Sequence, residues 1–148
     1  MLTQEQITSY SKNGFLAVEN VLSEQEVADL RRVTDEFVAQ SAAFTENTDI
    51  FDLEPGHTAE APRVRRLKDP PKQHPFYDNI LRHPKILDIV AELIGPGIRT
   101  NGSKLNMKSP QGGSAVEWHQ DWAFYPQTND DLLAVGVCMD DMMLVNGC

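Results

Sequence analysis

Ser103-Lys104-Leu105-Asn106-Met107-Lys108, the turn Ser109-Pro110-Gln111-Gly112-Gly113 and then Trp118-His119-Gln120-Asp121 form the stretch that decides how this chain folds. A short alternating segment, a Pro/Gly turn and a second short segment read as strand, turn and strand. On a β-strand residues i and i+2 share a face, so His119 and Asp121 can aim at one point, as can Lys104 and Asn106. An imidazole and a carboxylate so placed make two thirds of the 2-His-1-carboxylate facial triad, which holds non-heme Fe(II) and leaves other positions open. His-x-Asp alone is a cheap pattern in a chain with four histidines. The bland reading is a surface histidine beside a turn aspartate, and only context can choose.

Working outward, the upstream texture is helical. Thr3 to Asn13 carries Ile7 and Tyr10 at helical spacing and meets Gly14, a stop signal. Phe15 to Val18 reads as a short strand. Ser23 with Glu26 three residues later is a capping box. Val27, Leu30, Val33, Phe37 and Val38 follow with a period near 3.6, predicting a helix from about Glu24 to Ala42. The apolar pattern lapses from Thr45 to Pro62, which reads as a loop over a site. Arg63 to Leu67 reads as a strand. Pro75 to Leu81 and Pro84 to Ile94 read as helices with proline in the first turn. From Ile98 the texture changes to strands, at about Ile98 to Lys108, Ala115 to Trp118 and Leu132 to Asp140. The expected fold class is α+β, with N-terminal helices packed on a double-stranded β-helix, or jelly roll. Residues 1–148 read as one partial domain, with a mainly helical half over 1–97 and the first strands of the jelly roll over 98–148.

Composition narrows the function. Hydrophobic residues make up 41% and charged residues 24% of 148 positions, as in an ordinary globular domain able to bury a core. A net charge of −9 disfavours nucleic acid, whose phosphates want Lys and Arg, and fits a solvated acidic surface. The N-terminus lacks the basic-then-apolar layout of a signal peptide, and the longest apolar run, Leu132 to Met139, is too short to span a bilayer. The expectation is a cytoplasmic protein with no membrane partner. Cys138 and Cys148 have no metal-ligand or redox spacing, and Cys138 reads as a buried small hydrophobe.

The opening stretch continues through Trp122-Ala123-Phe124-Tyr125-Pro126 to Asn146-Gly147-Cys148. Taken together, these motifs resemble the phytanoyl-CoA dioxygenase family of Fe(II)/2-oxoglutarate oxygenases, to which the ectoine hydroxylases are similar. The resemblance is densest from Gly95 to Cys148. It implies a cupin-like jelly roll, Fe(II) held by His119 and Asp121, and consumption of 2-oxoglutarate and O₂ to hydroxylate a small molecule. It favours hydroxylation over halogenation, because related halogenases lack a carboxylate where Asp121 stands. It further implies that Asn106 hydrogen-bonds the 2-oxoglutarate carboxylate and that Lys68 is the nearest match to a cosubstrate-contacting lysine. Lys104 shares the Asn106 face and reads either as a charge-assisted contact to cosubstrate or substrate or as an exposed lysine that blunts a sheet edge.

Trp118 is expected in packing, while Phe124 or Tyr125 could line a pocket. His57, His74 and His83 read as exposed or helix-capping. Basic residues near the proposed site are sparse, which favours a free small metabolite over a phosphate-rich CoA thioester. The resemblance implies a second histidine ligand and a 2-oxoglutarate arginine further on, yet no histidine follows His119 and no arginine follows Arg99. The chain is therefore expected to be the N-terminal part of a longer oxygenase. The alternative is a non-catalytic truncated remnant, acting as a binding module or completed by a strand-exchanged homodimer.

Overall fold

The computed structural model describes residues 1–110, 113–125, 128–129 and 131–146. Helix α1 (Gln4–Asn13) begins at a capping box built by Thr3 and Gln6 and stops at Gly14, whose φ of 77° is left-handed. Helix α2 (Glu24–Ser41) starts at the Ser23/Glu26 capping box foreseen in the sequence. The short helix α3 (Pro70–Gln73) was not foreseen, whereas α4 (Pro75–Leu81) and α5 (Pro84–Ile94) follow their proline signals to the residue.

Three strands, β1 (Phe51–Leu53), β2 (Val64–Lys68) and β3 (Lys104–Asn106), form one antiparallel sheet in that order. Asp52 faces Arg66 but Leu53 faces Val64, so Arg65 is an extra residue in a β-bulge. The sequence carries the reason. Val64 and Leu67 are both buried yet stand three apart, a spacing that an unbroken period of two cannot put on one face. The bulge absorbs the difference and turns both Arg65 and Arg66 off the core.

That core lies between α2, α4 and one face of the sheet. Leu30, Val33 and Phe37 of α2 meet Phe51, Val64 and Leu67 of the sheet and Tyr77 and Ile80 of α4, with Leu53 and Leu105 packed against them. Phe37 sits 6.4 Å from Phe51 and 6.1 Å from Tyr77 between ring centroids, in tilted pairs of the kind aromatic quadrupoles favour. Burial holds the Tyr77 phenol above its ordinary pKa. The Thr34 hydroxyl donates to the Leu30 carbonyl at 2.7 Å, so the Tyr77 hydroxyl must donate to Thr34 at 2.8 Å.

The architecture is thus α+β, as expected, but several strands are not. Phe15 to Val18, Ala115 to Trp118 and Leu132 to Asp140 carry no strand, and only Lys104–Asn106 of the longer segment from Ile98 does. A strand exists only where a neighbour completes its ladder, and the described backbone–backbone hydrogen bonds join none of the first three segments to a neighbour. Phe15 is 70% exposed and Trp118 fully exposed, so Trp118 does not pack as its place in a strand would require. Cys138 is exposed rather than buried. The expected loop from Thr45 to Pro62 contains β1, whose Phe51-Asp52-Leu53 alternation is short enough to miss. Among the described residues no helix is long and apolar enough to cross a membrane.

Candidate metal and cosubstrate site

His119 and Asp121 do converge, though through a turn rather than along a strand. Asp121 opens a 3₁₀ helix, Asp121–Ala123, after Gln120 in extended backbone. His119 Nε2 lies 3.1 Å from Asp121 Oδ1, and His119 Nδ1 lies 2.6 Å from the carbonyl oxygen of Glu117. A carbonyl oxygen only accepts, so Nδ1 must carry a hydrogen and the neutral ring would turn its Nε2 lone pair toward Asp121. Two acceptors face each other across that gap, and a proton or a metal cation must sit between them. Donors on an octahedral centre with bonds of about 2.1 Å stand about 3 Å apart, close to the separation here. The donor set therefore fits one imidazole and one carboxylate ligand of an Fe(II) ion. Among the described residues no group of three or more His, Cys, Asp or Glu could hold a metal, so no third described side chain joins the pair.

Phe124 stacks edge-on against His119, with centroids 5.6 Å apart, and limits rotation of the imidazole. Gln120, Asp121 and Trp122 line a cleft of about 370 Å³ with Leu132 and Ala134. Asp121 therefore borders an open cleft of small-molecule size. Tyr125 does not line this cleft.

The other expected site residues form a second group on the sheet face that points away from the core. Asp52, Arg66 and Asn106 stand opposite one another across β1, β2 and β3, and Lys68 stands opposite Lys104. Arg66 Nε donates to Asn106 Oδ1 at 3.2 Å. Lys68 Nζ pairs with Asp52 Oδ1 at 2.8 Å and donates to the Thr48 carbonyl at 2.8 Å. Lys68 and Lys104 stand directly opposite across the ladder, and the Lys68 charge is met by Asp52. The described hydrogen bonds and ion pairs join Asn106, Lys104 or Lys68 to neither His119 nor Asp121.

One residue the sequence reading missed holds the connection between the groups. Glu54 is only 4% exposed and accepts from the Ser114 N–H at 2.9 and 3.0 Å and from the Ser114 hydroxyl at 2.5 Å. Arg63 donates to the Pro110 carbonyl at 3.2 Å, Arg65 to the Ala115 carbonyl at 3.1 Å and Lys108 to the Ser114 carbonyl at 2.7 Å. A Cβ on Gly113 would lie 3.1 Å from Glu54 Oε1, so the chain passes close over the carboxylate. These tethers pin the chain just before His119.

The Ser114 hydroxyl is the largest influence on Glu54 and holds its carboxyl below the ordinary range; burial opposes it, while the Ser114 N–H, Arg65 and Arg63 reinforce it. A depressed folded pKa gives stability that is complete above the unfolded value, about 4.3, and is lost as pH falls through the lower folded value. Resistance of the chain at Ser114 to proteolysis should hold from pH 7 to pH 5 and fall below about pH 4.3. In Glu54→Gln the acid-side fall should flatten, from a lower starting point. An unchanged acid slope in that variant would show that other carboxylates are responsible.

The histidines outside the pair serve structure. His57 Nδ1 accepts from the Arg63 N–H at 2.9 Å and its Nε2–H donates to the Phe44 carbonyl at 3.1 Å, stapling the loop around β1. His74 caps α4 by accepting from the Phe76 N–H at 3.1 Å. His83 lies 3.2 Å from Glu26, at the foot of α5.

An imidazole and a carboxylate thus meet beside a small cleft, while Asn106, Lys68 and Lys104 gather as a separate group on the sheet. Residues 10–148 match the model of the family described as Phytanoyl-CoA dioxygenase (PhyH), and the chain belongs to that family. It is 36% identical over 147 residues to a probable alpha-ketoglutarate-dependent hypophosphite dioxygenase of Stutzerimonas stutzeri, covering 97% of this chain and 50% of that one. An ectoine dioxygenase of Bordetella parapertussis is 28% identical over 82% of this chain and 37% of its own. The L-proline trans-4-hydroxylase of Streptomyces griseoviridis is 26% identical over 93% of this chain and 49% of its own. The chain spans about half the length, or less, of these relatives.

Proposed function

We propose that this chain is part of an Fe(II)/2-oxoglutarate-dependent dioxygenase that hydroxylates a small molecule, with His119 and Asp121 as two of the iron ligands. The observation that carries this reading is the 3.1 Å approach of His119 Nε2 to Asp121 Oδ1 with Nδ1 already committed to the Glu117 carbonyl. Fe(II) held there supplies the activation of O₂ that is coupled to oxidative decarboxylation of 2-oxoglutarate. The protein's own part is to orient. Glu117 sets the imidazole tautomer, as outer partners of metal-bound histidines do. Phe124 fixes the ring plane, and Asn106, Lys104 and Lys68 receive the carboxylates of 2-oxoglutarate. The whole enzyme is proposed to be a jelly roll that begins with β1, β2 and β3 and is covered by the helices of 1–97.

The relatives named above are named for hypophosphite, ectoine and L-proline, all free small molecules. The cleft beside Asp121 has room for such a molecule, and the proposed substrate is a free metabolite rather than a CoA thioester. Anaerobic addition of 2-oxoglutarate to the Fe(II)-loaded whole protein should develop the visible band of an iron–2-oxo acid chelate. The reading is lost if no band forms and His119→Ala leaves metal binding unchanged.

A further inference from the structure

Asn106 was expected at the cosubstrate, but nothing in the sequence says which way its amide points. An asparagine amide can present either a carbonyl acceptor or an NH₂ donor, and only the donor suits a carboxylate. Arg66 settles the choice. A guanidinium has donors and no acceptor, so the amide atom 3.2 Å from Arg66 Nε must be the oxygen. The Asn106 NH₂, with two hydrogens, is then turned away from Arg66.

The guanidinium is itself held from the other side. Arg66 Nη1 lies 3.6 Å from Asp52 Oδ2, and the other Asp52 oxygen is taken by Lys68. Asp52, Arg66 and Asn106 occupy opposing positions on three adjacent strands, so backbone register fixes the line. The Arg66 side chain is 32% exposed and that of Asp52 20%, so solvent only partly screens the contact. The next rung sets Lys68 opposite Lys104, with the Lys68 ammonium drawn to Asp52 and the Thr48 carbonyl.

We infer that Arg66 is a positioning residue for the cosubstrate, holding the Asn106 carbonyl oxygen so that the amide NH₂ is offered to a carboxylate of 2-oxoglutarate. The inference rests on the proposed role of Asn106 as a cosubstrate residue. Arg66 acts through Asn106 and touches no reacting atom.

The test is the dissociation constant of 2-oxoglutarate for the whole protein loaded with Mn(II), measured by calorimetry without turnover. Asn106→Ala should weaken binding about tenfold, and Arg66→Met should weaken it nearly as much. The double variant should bind no more weakly than Asn106→Ala alone, since residues acting as one unit are non-additive. Arg66→Lys keeps a donor and should recover most of the affinity. Asn106→Asp keeps an acceptor for Arg66 but offers no N–H, so it should lose binding while melting at the parent temperature. That variant keeps the inference open to refutation if Arg66→Met fails to fold. Additive losses would overturn the inference and put Arg66 on the anion itself. A loss in Asn106→Ala with none in Arg66→Met would overturn it and leave the proposed role of Asn106 standing. No loss in Asn106→Ala would end both.

Discussion

Fe(II) affinity should fall by more than about a hundredfold when His119 is changed to alanine, because loss of even an outer partner of a metal ligand costs 10- to 100-fold. The side chain supplies one of two donors that converge across 3.1 Å, and no described group stands ready to replace it. Asp121→Asn is the sharper comparison, since it keeps an oxygen near Nε2 but removes the charge. Its loss should be large yet smaller than that of His119→Ala. Competition with a chromophoric chelator under nitrogen measures both. The pair lies on a surface turn, with side chains 35% and 41% exposed, so near-UV spectra and melting should barely change. Equal metal affinity in parent and His119→Ala would remove these residues from the metal.

The second large effect is on stability. Leu67 is fully buried, on the central strand, against helices on one side and Phe51 on its register partner. Leu67→Ala removes methyl groups and leaves a cavity that neighbouring rings can only partly fill, a change that costs about 3 kcal/mol. For a domain of this size that should lower the melting temperature by about 10 °C. Calorimetry of Leu67→Ala beside Arg66→Met, one residue along the same strand, separates the two faces of the sheet. If the Leu67 variant melts within a degree or two of the parent, the core does not lie where these contacts put it.

Much of this organisation is legible residue by residue. Pro75, Pro84 and Gly95 mark helix ends because proline suits a first turn and glycine a stop, and Ser23 with Glu26 names its own helix start. These signals are local, and local chemistry survives in any tertiary setting. The strand assignments at Phe15 to Val18 and Leu132 to Asp140 rested on apolar pattern alone, and pattern cannot supply a neighbour to bond with. The His119–Asp121 pair was foreseen for one reason and formed for another. Strand alternation suggested the convergence, while a 3₁₀ turn produces it. Glu54 was invisible because its partner Ser114 stands 60 positions away, and an acidic residue in a Pro/Gly-rich loop ordinarily signals solvent. Arg66 was visible only as a charge on a strand; its register with Asn106 needed the fold.

The bulge at Arg65 also bears on how the chain tolerates changes of length. Removing one residue from an ordinary strand rotates everything beyond it to the opposite face. Here Val64 and Leu67 already stand one position further apart than a regular ladder needs, and Arg65 is the surplus. Its deletion leaves the pair two apart, pleated together onto the core, with a single arginine between them. The strand keeps its inner face and gives up the tether to Ala115, the Arg65 carbonyl that accepts from the Met107 N–H and a cation that favours the Glu54 carboxylate. Sequence drift can therefore shorten this strand at one point without exposing the interior, and it then meets resistance from the turn that leads to His119 rather than from the core.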